Sequence, residues 1–186
     1  MRKKEIVVYS VIVALFVGII WLMLANSSVK QQNRVLDSYV GQLQFLLGIG
    51  PLKSTHIHAD VKVYINGDSI DFSQKKYQLT TNFIHFEDGV GDVVHIHATG
   101  MTVGQMIRGV GGSMSSKCLD FGENKYCNDK NKILKLYVNG QPNEDFDNYV
   151  VDDLDKILIS FGDETPAEIQ AQIATITNLA RKNRNV

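Results

Sequence analysis

The five histidines of this sequence are its clearest sign of chemistry, because all of them fall in three short stretches of chain. These stretches are His56-Ile-His58, Ile84-His85-Phe86 and His95-Ile-His97. Alternate residues of a β-strand point to the same face of a sheet, so each His-Ile-His pair directs both imidazoles to one side. Neutral imidazole is a good ligand for Zn²⁺ and Cu²⁺. The pattern predicts a Zn or Cu site on one face of a sheet.

A β-hairpin would bring the second and third histidine stretches together. If Asp88–Asp92 is the loop, His85 stands directly opposite His95, and directly opposed residues have Cβ atoms about 4.5–5.5 Å apart. His97 then lies one diagonal step away, and Glu87 shares the same face. We therefore expect at least three imidazoles to converge, with His85 and His95 as the central pair.

The first histidine stretch joins this cluster if its strand is a neighbour in the sheet. Asp60 and Glu87 are candidates to ligate the ion, to orient a ring or to act as a base. The same pattern also fits two arrangements without a metal: solvent-facing strand residues that happen to be histidine, or a pH-dependent polar network. The candidate metal ligands are His56, His58, His85, His95 and His97.

The N-terminal segment predicts a membrane anchor. Three cations at positions 2–4 precede Ile6–Ala25, a run of twenty residues without a charge. Twenty helical residues cover about 30 Å, the thickness of the hydrocarbon core. Basic residues are retained in the cytoplasm, so the rest of the chain is expected outside. A cleaved signal peptide is the alternative, but its apolar region is normally about 7–15 residues long.

The remaining chain predicts an α+β protein in which the exported part is mainly β. His56–Ile65 alternates between apolar and polar residues, and Asn66-Gly67 is a tight-turn signal. A short helix is expected after Thr102, and the order of elements is β-grasp-like. We predict a cytoplasmic tip (1–4), a transmembrane helix (5–25), a stalk with an amphipathic helix (26–54), a β-rich extracytoplasmic domain (55–163) and a C-terminal helix (164–186).

The C-terminal helix is predicted to be amphipathic. Thr165-Pro-Ala-Glu168 has the pattern of a helix N-terminus with a capping box. Ile169, Ile173, Ile176 and Ala180 form one apolar stripe. The stripe either packs on the domain or pairs with another protein.

The two cysteines predict a disulfide. Cys118 and Cys127 flank a turn around Gly122, and an exported domain occupies a compartment where disulfides persist. Their spacing is unlike the Cys-x-x-Cys of a thiol–disulfide enzyme.

The stretch from His56 to about Gly162 resembles a prokaryotic family of small, membrane-anchored exported domains that have no assigned function. The resemblance implies no activity. The matching pieces are His56–Gly67, His85–Gly89, Val94–His97, Met101–Met106, Leu136–Gly140 and Ile157–Gly162.

Three classes of function fit these features. The first is a module that binds a transition metal. The second is a metal-dependent enzyme, which needs three protein ligands, an open position and a nearby base; its catalytic residues are unknown, and the sequence favours a non-catalytic protein. The third is an envelope adaptor that uses the C-terminal helix as its contact. The formal net charge of −1 predicts no nucleic-acid partner.

Overall fold

The computed structural model describes residues 2–122 and 124–183 of the chain. It consists of two units: an N-terminal helix that runs to Leu47 and a compact domain that begins at Gly48.

The N-terminal unit is one continuous helix, α1, which spans Lys3–Leu47 and contains 45 residues. It is long and apolar enough to cross a membrane. At about 1.5 Å per residue it extends roughly 68 Å, more than twice the thickness of a hydrocarbon core. The predicted membrane segment and the predicted stalk helix therefore form a single helix. It ends at Gly48, whose φ of +67° suits a residue without a side chain.

The domain consists mainly of β-strands, with one short α-helix among them and two α-helices at the C-terminal end of the described chain. In chain order the elements are β1 (Ile57–Ile65), β2 (Asp68–Ser69), β3 (Ile84–His85), β4 (Val93–Ile96), α2 (Val103–Gly109), β5 (Gly112–Met114), β6 (Cys118–Phe121), β7 (Asn124–Cys127), β8 (Ile133–Val138), β9 (Gln141–Pro142), β10 (Lys156–Gly162), α3 (Pro166–Ala174) and α4 (Leu179–Asn183). Single 3₁₀ turns lie at Lys75–Tyr77 and Phe146–Asn148.

The strands build one large mixed sheet and one small sheet. In the described part of the chain the large sheet has seven strands in the order β3-β4-β1-β10-β8-β9, with β2 paired to β1. β1 and β10 are parallel, whereas β1 and β4 are antiparallel. The small sheet has the order β5-β6-β7. This architecture confirms the α+β class, and the finer β-grasp-like description stays a prediction.

One face of the large sheet forms the main hydrophobic core. The alternation predicted for β1 is confirmed, because Ala59, Val61 and Val63 are buried. They belong to a cluster that also includes Ile107 of α2 and Leu119 of β6. α2 begins with the predicted Thr102 capping box. The even-numbered residues of β1, including His58, consequently occupy the other face.

The C-terminal segment packs on that other face. It is broken into α3 and α4, where a single helix over 164–186 was predicted; residues 184–186 lie outside the described part. Leu158 of β10 packs with Ile169 and Ile176, and Ala180 is fully buried. Most of the predicted apolar stripe is therefore covered by the protein's own sheet, the first of the two alternatives.

The predicted disulfide is confirmed. Cys118 and Cys127 are directly opposed in the β6–β7 pair, and their sulfur atoms are bonded.

Candidate metal centre

Three neighbouring strands place histidines in one row across the second face of the sheet. His95 on β4 is directly opposite His58 on β1 and directly opposite His85 on β3. The predicted His85–His95 opposition is thus confirmed. β1 is also a direct neighbour of β4, which was the condition for the first histidine stretch to join the cluster.

Three of the imidazoles approach closely enough to share one ion. One ligand atom from each of His56, His58 and His95 lies within 4.8 Å of the others. Two nitrogens bound to one Zn²⁺ are at most about 4.2 Å apart, because each Zn–N bond is about 2.1 Å. The group, which we call the histidine triad, thus needs only a small side-chain adjustment to bind a metal. It is centred on β1 and β4, rather than on the β3–β4 hairpin as expected.

Burial of the triad favours the neutral rings that bind metals. His58 and His95 are only 5% and 6% exposed, while His56 is exposed. Burial lowers the pKa of His95 to about 4, even though the nearby Glu87 carboxylate opposes this shift. Burial, and then the neighbouring His56, also lower the pKa of His58. Two of the three ligands are therefore unprotonated at neutral pH.

Glu87 links the triad to His85. Its Oε1 lies 3.1 Å from Nδ1 of His95, and its Oε2 lies 3.2 Å from Nε2 of His85. Burial by itself would raise the pKa of Glu87, but the neighbouring His95, and then His85, outweigh it and lower the pKa. The carboxylate is therefore ionised at neutral pH.

The position of Glu87 matches that of a carboxylate that orients a metal-binding histidine. Nδ1 of His95 is buried and, within the described chain, makes no well-aligned hydrogen bond, although Glu87 Oε1 is close. If Nδ1 keeps this neighbour, Nε2 is the nitrogen left for a metal. Carboxylate–histidine–metal arrangements of this kind fix the ring and raise the basicity of the ligand.

His85 is tied into the protein by both ring nitrogens. Its Nδ1 lies 2.7 Å from the carbonyl oxygen of Thr81, so this nitrogen donates the hydrogen bond. Its Nε2 faces Glu87. These two contacts explain why His85 orients the carboxylate and is not part of the triad.

His97 completes the cluster at its partly exposed side. Its ring centroid lies 4.8 Å from that of His56 and 5.1 Å from that of His85. Burial, followed by the neighbouring His56, lowers its pKa. All five predicted histidines therefore share one face, and three of them meet within metal-binding distance.

Asp60 serves another part of the fold. Its Oδ1 accepts hydrogen bonds from the backbone N–H of Leu179, at 2.9 Å, and from the hydroxyl of Thr177. The N–H of Ala180 also points to this carboxylate. Asp60 thus holds the start of α4 on the sheet, although the sequence had suggested it as a partner of the histidines.

Two residues that support the site carried no signal in the sequence. Oδ1 of Asp153 accepts a hydrogen bond of 3.2 Å from the backbone N–H of His58, and its charge partly offsets the lowering of that histidine's pKa. Thr81 holds His85 through its backbone carbonyl. Both residues lie in loops, where no periodic pattern identifies a functional position.

Comparison with known proteins found no matching family model, no matching curated protein and no matching solved structure. The resemblance suggested by the histidine stretches stays a prediction, and the function has to be argued from the site itself.

Proposed function

We propose that this protein is a membrane-anchored extracytoplasmic domain that binds one divalent transition metal ion, Zn²⁺ or Cu²⁺. His56, His58 and His95 are the ligands. The observation that carries the proposal is the approach of these three imidazoles to within 4.8 Å of one another.

The chemistry of the triad supports this class of metal. Three imidazole nitrogens suit Zn²⁺ and Cu²⁺, whereas Ca²⁺ and Mg²⁺ prefer oxygen ligands. His58 and His95 are directly opposed on two hydrogen-bonded strands, so their backbones are already in position before the ion binds. His56 directly precedes β1. Glu87 lies where it can orient His95.

The membrane and export parts of the proposal have separate support. α1 is long and apolar enough to span a bilayer, and the basic residues at positions 2–4 favour a cytoplasmic N-terminus. The Cys118–Cys127 disulfide is typical of a protein that folds in an oxidising compartment.

Metal titration of the full chain tests the binding proposal. The protein is purified in detergent without a polyhistidine tag, stripped with a chelator and titrated with Zn²⁺ or Cu²⁺ at pH 7.5. We expect one ion per chain, and loss of binding in His58→Ala and His95→Ala. His97→Ala is the matched control, because it removes an imidazole from the same face but outside the triad. Absence of binding by the native chain, or equal losses in all three variants, would contradict the proposal.

Protease treatment of intact cells tests the topology. We expect cleavage of the domain, with a membrane-embedded N-terminal fragment left behind. A protected domain would refute the orientation, and a mature N-terminus near Ala25 would refute the anchor.

A further inference from the structure

The part of α1 that follows the uncharged run carries a seven-residue apolar repeat. Val29, Leu36 and Leu43 recur at every seventh position, and Tyr39 and Leu46 occupy the matching place between them. In heptad notation these are a and d positions. The five residues form what we call the stalk stripe. All are solvent-exposed, for example 60% for Leu36 and 59% for Leu43.

Charged residues are confined to the other side of this helix. Lys30 and Asp37 fall at b positions and Arg34 at an f position, the outer places of a heptad. The e and g positions, which flank the stripe, carry no charge between residues 28 and 47. Two identical helices that meet along this stripe would therefore bring no like charges together.

A helix with such a surface needs a partner in water. Isolated helices are marginally stable, and most helices in proteins are stabilised by packing of an apolar face. A contiguous exposed apolar surface of this kind marks an interaction site. α1 continues without a break through the stalk to Leu47, so a partner that covers the stripe would stabilise this part of the helix.

We propose that the stalk stripe pairs with the same stripe of a second copy of this chain, as a parallel, in-register coiled coil. The argument for a second copy rests on the proposed membrane anchor. Anchors of the same orientation present two copies of the stripe in the same direction and at the same height. Gln32, the polar residue at a d position, would favour one register over shifted ones.

Single-cysteine cross-linking in native membranes tests this pairing. The native cysteines are bonded to each other, and none is free. A cross-link between two chains therefore has to form through the introduced cysteine. We would place it at Val29→Cys, Leu36→Cys or Leu43→Cys along the stripe. Ser38→Cys, at a c position of the same helix and outside the stripe, is the matched control.

The parallel pair predicts efficient dimer formation by mild oxidation at all three stripe positions, at least fivefold above Ser38→Cys. Val29 and Leu43 are fourteen residues apart, about 21 Å along a helix, so an antiparallel pair would cross-link at Leu36 alone. Three outcomes would overturn the proposal: cross-linking at Leu36→Cys alone, equal cross-linking at every position, or no cross-linking at the stripe.

Two further measurements in the same membranes distinguish a failure of the pairing from a failure of the proposed anchor or of the proposed metal site. Recovery of the chain in the soluble fraction would refute the anchor independently of the cross-links. Metal plays no part in the pairing, so His58→Ala combined with Leu36→Cys should cross-link as well as Leu36→Cys alone. Loss of dimer in that double variant would contradict the pairing through the stalk stripe.

Discussion

Replacing Glu87 by Gln should weaken metal binding even though Glu87 is not a member of the triad. The change preserves the size of the side chain but removes its charge. In the structure the carboxylate contacts His95 Nδ1 at 3.1 Å and His85 Nε2 at 3.2 Å. The substitution therefore removes the negative charge that orients His95 and raises its basicity as a ligand.

The magnitude follows from comparable carboxylate–histidine contacts. Loss of such a partner typically reduces metal affinity about 10–100-fold, which corresponds to about 1.4–2.7 kcal/mol of binding free energy. The Glu87 side chain is 31% exposed, so water partly screens its interaction with the ring. We therefore expect the lower end of the range, a loss of about tenfold.

The assay is a competition titration of Zn²⁺ between the detergent-purified full chain and a chromophoric chelator at pH 7.5. Glu144→Gln is the control, because it makes the same chemical change at an exposed residue beyond β9. Thermal melts of both variants in excess chelator check that the fold is retained. Unchanged or increased affinity in Glu87→Gln, or an equal loss in Glu144→Gln, would refute the role of this carboxylate.

Three further predictions concern stability. Burial lowers the pKa of His95 to about 4, whereas an unfolded histidine titrates near 6.5. The metal-free fold should therefore keep its full stability above pH 6.5 and lose stability as the pH falls toward 4. In thermal melts, the melting temperature of His95→Gln should fall less steeply with decreasing pH than that of the native chain, and an equally steep fall would contradict this. Replacing both Cys118 and Cys127 by Ser should lower the free energy of unfolding by about 2–3 kcal/mol, since the disulfide closes a short loop; denaturant titration measures this, and an unchanged midpoint would be inconsistent with it. Asp60→Asn should cost about 1 kcal/mol by weakening the start of α4 while leaving Zn²⁺ affinity within twofold; a tenfold loss of affinity would instead place Asp60 at the metal.

Features encoded over a few residues could be predicted from the sequence. The alternation of His56–Ile65, the capping boxes at Thr102 and Thr165, and the Cys118–Cys127 pair all depend on neighbours within about ten residues. The His85–His95 opposition belongs to the same class, because the short loop between these residues leaves little freedom in their register.

The boundary predicted after residue 25, between the membrane segment and the stalk, lies within one continuous helix. Charge and polarity change there, yet the residues that follow contain no proline before Gly48. The passage of a helix from the bilayer into water does not by itself end the helix, whereas a glycine with positive φ does. α1 therefore continues to Leu47.

Sequence alone determined that each His-Ile-His pair would share a face and that His85 would oppose His95. His58, His85 and His95 lie on strands as predicted, whereas His56 and His97 lie directly beside the ends of β1 and β4. Tertiary structure decided which of them form the triad. Pairing of β1 with β4 joins segments more than thirty residues apart, and the choice of neighbour depends on the order of the whole sheet. The same long-range packing placed Asp60 against α4 and Asp153 against His58, since a contact between distant segments is set by the fold and not by local spacing.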